Sequence, residues 1–119
     1  PCMKKHDVIR LRHMLDAAKD ALSFVADKSR DDLDADRMLT LSLVKCIEII
    51  GEAASRLSKE CRKMYPQIPW SDIIGMRNRL IHAYYDVNLD VLWQTVMKDI
   101  PPLIAHLETI IASAEEGVT

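Results

Sequence analysis

Met38-Leu-Thr-Leu-Ser-Leu-Val-Lys-Cys-Ile-Glu-Ile-Ile50 is the stretch on which the fold turns. Nine of its thirteen residues are apolar, and at about 100° per residue they leave little polar surface on a helix. Such a helix sits at the centre of a core, or is buried by a second subunit as well. The pattern predicts a helix from about Ala35 to Lys63, with Asp34 or Asp32 as its N-cap. Gly51, Ala54 and Ser55 form a small-residue stripe that lets another backbone come close. Glu52 could anchor a neighbouring arginine or pair with Arg56 one turn on. Arg56, Lys59, Arg62 and Lys63 could touch a phosphate backbone, although cations near a helix C-terminus are favoured by the dipole anyway.

Outward from this helix the chain is helical on both sides. Val8, Ile9, Leu11, Leu15, Ala18, Leu22 and Val25 predict a first helix over about Lys5 to Asp27. His6 and His13 lie on one side of it, two turns apart, too far to share a metal ion unaided. Tyr65 to Pro69 reads as a loop, and Trp70 as an apolar anchor before a helix that starts at Ser71 or Asp72. Asn88 is a good cap for a fourth helix, and Asp99-Ile-Pro-Pro102 starts or kinks a fifth. His106 lies on a flank of that fifth helix, most simply as a structural residue, and a frayed tail is expected from Glu115. The expectation is an all-α, up-and-down bundle of four to five helices, one domain over residues 1–119 with an ordered core over about 5–113.

Composition narrows the function. With 49% hydrophobic and 29% charged residues over 119 positions, the chain reads as a single globular unit. A formal net charge of −2 excludes nucleic-acid binding driven by the whole surface, so any RNA contact needs a local basic cluster. Cys2, Cys46 and Cys61 are odd in number and lack Cys-x-x-Cys spacing, which suggests reduced thiols in a cytoplasmic protein. Lys4 to Asp7 leads directly into an amphipathic pattern, so no secretion signal is expected. No apolar run approaches the roughly 20 residues of a membrane span. No cluster of metal ligands and no Gly-rich phosphate cradle is legible, so neither metal nor cofactor is expected.

Gly75-Met-Arg-Asn-Arg-Leu-Ile-His-Ala-Tyr-Tyr85 concentrates the chemistry, with the spacing Arg77-x4-His82-x-Tyr84. Arginine offers a planar cationic fork that suits phosphate oxygens, and histidine exchanges protons near neutral pH. Continued as a helix, the segment places Asn78 and His82 on one face, with Arg77 about 140° from His82. Convergence of Arg77 and His82 therefore requires Arg77 to wrap round or the helix to loosen near His82. The Tyr84-Tyr-Asp-Val-Asn88 run is a plausible ending. The plainer alternative is an amphipathic helix with an exposed polar face and a capping histidine.

Together with Ile50-Gly-Glu-Ala-Ala54, Ile68-Pro-Trp70 and Asp99-Ile-Pro-Pro-Leu103, this segment resembles the HepT-like family of HEPN-domain proteins, over about Asp7 to Ile111. The residue set, with no Ser or Cys nucleophile beside the histidine, suits RNA cleavage in which the ribose 2′-hydroxyl attacks. One chain has one such histidine, so a separate base and acid require two chains. The resemblance implies a HEPN-like bundle that dimerises through its long helices, and a homodimeric, metal-independent endoribonuclease with paired motifs in the dimer groove. It implies His82 as acid or base and Arg77 as the group that binds the scissile phosphate. Asn78 would help orient the RNA, and Arg79 is a weaker candidate for the same task. It further implies a toxin of a type VII-like toxin–antitoxin pair, neutralised by a minimal nucleotidyltransferase antitoxin that transfers AMP to Tyr84, with Tyr85 as an adjacent decoy. The rival reading is a non-catalytic helical subunit that binds nucleotide or substrate for a nucleotidyltransferase.

Overall fold

Leu11, Met14, Ala17, Ala18 and Ala21 recur at helical spacing along α1 (Lys5–Phe24), and all are buried. The three alanines let α1 lie close against α3 (Arg37–Ser55), which buries Leu39, Leu43, Val44, Cys46, Ile47 and Ile50. In this computed structural model, residues 3–83 and 86–118 are described, with the side chains of 81–83 and 116–118 excepted. Helix α1 stops at Phe24 rather than Asp27, because Asp27 takes φ 65°, a left-handed conformation that ends the helical run.

A single turn, α2 (Asp32–Ala35), precedes α3. The expected caps, Asp32 and Asp34, lie inside that turn; Asp36, whose backbone is extended, accepts from Leu39 N at 3.1 Å and caps α3 instead. The helix expected to run to Lys63 breaks after Ser55. Buried Asp7 is the reason. Its carboxylate accepts from the Ser58 amide at 2.8 Å and the Ser58 hydroxyl at 2.7 Å, joining the start of α1 to residue 58. The same hydroxyl accepts from Cys61 N at 3.1 Å and caps α4 (Lys59–Met64).

The segment that follows also divides. α5 (Trp70–Ile74) begins at Trp70, which is buried and shares its indole N–H between the Arg62 and Tyr65 carbonyls, each at 3.0 Å. Gly75 separates it from α6 (Met76–Leu80). Helix then gives way to a small hairpin, β1 (Ile81–Ala83) and β2 (Asp86–Val87), paired antiparallel with Ile81 opposite Val87. The Asn88 amide donates to the Leu80 carbonyl at 2.6 Å, closing the end of α6. The expectation that His82 continues the helix of Asn78 is therefore corrected. Ile81 and Val87 are β-branched and pair more readily as strands than they extend a helix.

Asn88 caps α7 (Leu89–Gln94), accepting from Val91 N at 3.0 Å as its position suggests. A wider π-turn, Thr95–Asp99, joins α7 to α8 (Ile100–Val118). Pro101 and Pro102 have no N–H, which removes the α-helical donors to the Met97 and Lys98 carbonyls. The wider register, in which Ile100 N–H reaches Thr95 O, accommodates that loss. The run thus changes register ahead of the prolines without a break, and helix persists to Val118 where a frayed tail was expected.

Ion pairs Arg12–Glu115 and Lys19–Glu108 show that α8 runs antiparallel to α1, as the Asp7–Ser58 contact shows for α3. The architecture is an all-α helical bundle, as expected. Among the described residues, no helix is long and apolar enough to cross a membrane.

Candidate functional site

Met76 and Leu80 are the buried residues of α6, and this fixes how the remaining three side chains project. Arg77 and Asn78 turn towards α3 and line a cleft of about 390 Å³ with Ile47, Glu48, Gly51 and Ile74. Gly51 makes the approach possible. A Cβ there would stand 3.3 Å from the Ile73 carbonyl oxygen, tighter than ordinary contact, and 3.4 Å from that of Ile74, at its edge. The small-residue stripe thus seats α5 against α3 and brings the Arg77 segment to the cleft.

Glu48 orients the arginine. Its Oε1 accepts from Arg77 Nε at 2.8 Å, and its Oε2 lies 3.9 Å from Lys45 Nζ. The bond to Nε leaves both terminal guanidinium nitrogens of Arg77 without a partner among the described residues, and the side chain is 51% exposed. A phosphate could thus be gripped in bidentate fashion while the carboxylate holds the guanidinium plane. Sequence reasoning missed Glu48. For Glu52 the sequence left open an anchor for a neighbouring arginine or a pair with Arg56; the structure shows the pair with Arg56, at 2.8 Å. Nothing in the local pattern separates the two glutamates, which lie one helical turn apart.

Arg79 leaves α6 on another side. Its Nη1 lies 3.7 Å from Asp72 Oδ1, and it lines a different cavity together with His106. The structure therefore brings Arg77 and Asn78 together and separates Arg79 from them. The backbone of His82 belongs to β1, immediately after α6, so the helix does loosen before the histidine. The His82 side chain lies outside the described residues, as do Tyr84 and Tyr85. His6 is exposed, 3.6 Å from Asp7, and His13 sits in a shallow notch with Arg10 and Arg56. Among the described residues no group of three His, Cys, Asp or Glu side chains is placed to hold a metal ion. Burial pushes the Cys46 and Cys61 thiols up to about 11, so neither is a ready nucleophile near neutral pH.

Residues 14–110 match the model of a family described as "Ribonuclease HepT-like". The chain belongs to the HepT-like family. Its HepT-like relatives are similar over most of their length. A Caldanaerobacter subterraneus subsp. tengcongensis protein named "Putative RNase" is 39% identical over 101 residues, covering 85% of this chain and 90% of the relative. A Thermococcus cleftensis protein named "Probable ribonuclease HepT" is 32% identical, covering 91% of this chain and 98% of the relative. A Methanocaldococcus jannaschii protein named "Putative RNase" is 31% identical, covering 91% of this chain and all of the relative (100%). No solved structure matches.

Proposed function

We propose that this HepT-like chain is an RNA-cleaving toxin that works as a homodimer in the cytoplasm. The observation that carries the reading is the ribonuclease-family match over residues 14–110, which contains the whole Arg77-x4-His82 motif. The geometry of Arg77 supports it: a guanidinium held from behind by Glu48, its outer nitrogens turned to an open cleft.

In the proposed reaction one His82 takes the proton of a ribose 2′-hydroxyl. The 2′-oxygen attacks the adjacent phosphorus, and Arg77 stabilises the charge that gathers on the equatorial oxygens. The bond to the 5′-oxygen breaks, and His82 of the partner subunit protonates that leaving oxygen. The products are a 2′,3′-cyclic phosphate and a 5′-hydroxyl end, with no call on a metal ion. Asn78, beside Arg77, orients the RNA. Tyr84, in the same motif as Arg77, is the residue that a partner nucleotidyltransferase antitoxin would adenylylate, the added bulk and negative charge opposing an RNA phosphate. Outward-facing Met38 and Leu41 on α3, 80% and 48% exposed, favour pairing of two chains through this long helix.

The test is cleavage of structured and unstructured RNA by the purified chain in the presence of EDTA, with end-group analysis. Cyclic-phosphate products that vanish in His82→Ala, with native circular dichroism retained, are expected. Unchanged cleavage in His82→Ala would reject the assigned roles. No cleavage at all, with a stable nucleotidyltransferase complex, would establish a non-catalytic partner subunit instead.

A further inference from the structure

On the side of α6 away from the Arg77 cleft lies a larger cavity of about 630 Å³, within the range of small-ligand sites. Ile73, Met76 and Leu103 form its apolar floor, and the π-turn Thr95–Asp99 forms one wall. Two features of that wall point to a ligand. Thr95 lines the cavity and is only 4% exposed, and its hydroxyl makes no hydrogen bond among the described residues. π-turns, moreover, recur at functional sites because they displace side chains from the ordinary helical register.

We infer that this cavity takes the unstacked base of an RNA nucleotide next to the one cleaved, and prefers a base that carries an exocyclic amine. The inference rests on the RNA reading above and adds the part of the substrate that the Arg77 cleft does not contact. A flat base suits the apolar floor, as flipped or splayed bases do in other sites. The choice of base follows from the charges. Asp90, on the rim, is engaged by Arg30 at 2.7 Å, and Asp72 faces Arg79 at 3.7 Å. Asp99 has no such partner among the described residues. An unpaired carboxylate accepts from the exocyclic amine of adenine, cytosine or guanine, whereas uracil has no exocyclic amine and offers only its ring N3–H. Lys98 and Arg79, on the same rim, suit the attached phosphate. The exposed ridge Arg77, Asn78, Arg79 carries the strand from one cavity to the other.

The experiment is an NMR titration of the isotopically labelled full chain with AMP, CMP and UMP, run beside the RNA-cleavage assay. AMP and CMP should perturb resonances of Thr95, Met76 and Leu103 and bind about three-fold or more tighter than UMP, the weight of one net hydrogen bond. Thr95→Val should weaken AMP binding, and Asp99→Ala should abolish the preference over UMP; both changes lie on the wall and leave the floor intact. Absence of perturbation at the lining residues at millimolar nucleotide would overturn the site. Equal affinity for the three nucleotides, unaltered by Asp99→Ala, would overturn the proposed base preference. Binding at the cavity without any RNA cleavage would instead reject the ribonuclease reading and leave a nucleotide site standing.

Discussion

Arg77 has its guanidinium set by Glu48, 29 residues earlier in the chain. Both side chains are partly exposed, so the pair itself is worth little stability, about 0.2–1 kcal/mol. Its value lies in orientation. Glu48→Gln should leave the denaturation midpoint nearly unchanged while lowering RNA-cleavage kcat by about two- to ten-fold, and Arg77→Lys, which keeps charge but loses the fork, should cost more. Steady-state kinetics on one short RNA would separate the two. Asp7 presents the opposite case: a buried carboxylate 1% exposed whose two oxygens satisfy Ser58. Asp7→Ala should destabilise by about 2–3 kcal/mol in urea melts, because the Ser58 amide loses its acceptor and a void replaces the carboxylate. Glu48 was not legible from sequence because its partner is chosen by packing. Trp70 as anchor and Asn88 as cap were legible, because each depends on neighbours within a few positions.

At the level of elements, the chain is more broken than its periodicity suggests. The apolar pattern of the expected Ala35–Lys63 helix continues past Ser55, but Asp7 arrives from another helix and takes Ser58. Gly75 and the hairpin divide the Arg77 segment in the same way, so a helical-wheel relation between Asn78 and His82 fails. Gly51 governs where that segment sits. With backbone oxygens 3.3 and 3.4 Å from a would-be Cβ, Gly51→Leu should push α5 and α6 from α3, destabilise by about 1–3 kcal/mol and weaken cleavage. Chemical denaturation together with the shifts of Glu48 and Arg77 resonances would check it. Retained shifts in a stable variant would show that the close approach is not what places Arg77.

For the whole molecule, α3 unites core and surface. It buries nine residues and still leaves Met38 and Leu41 in solvent, which accounts for a sequence that is apolar almost all round. If α3 forms the proposed dimer contact, Met38→Glu with Leu41→Glu should yield a monomer by sedimentation velocity, and cleavage should fall with it. The core also sets a pH limit. Burial first, then nearby Asp20 for Cys46 and Asp7 for Cys61, holds both thiols protonated up to about 11 against an ordinary 9.0. Folding stability from these groups is complete below pH 9 and declines as pH rises towards 11, since only the unfolded chain then releases thiol protons. Urea melts across that window should show the fall, and Cys46→Ala with Cys61→Ala should flatten it.

The sequence by itself determined the all-α class, the order of the main helices, the anchoring of Trp70 and the segment that carries Arg77 and Asn78. Each of these follows from periodicity or from capping over a few residues, where local propensity and burial act in the same direction. Only the tertiary structure decided that Glu48 holds Arg77, that Arg79 faces another cavity and that Asp7 breaks the long helix. Those outcomes depend on which helices meet, and at what distance, so residues far apart in the chain become partners through close packing that no local pattern records.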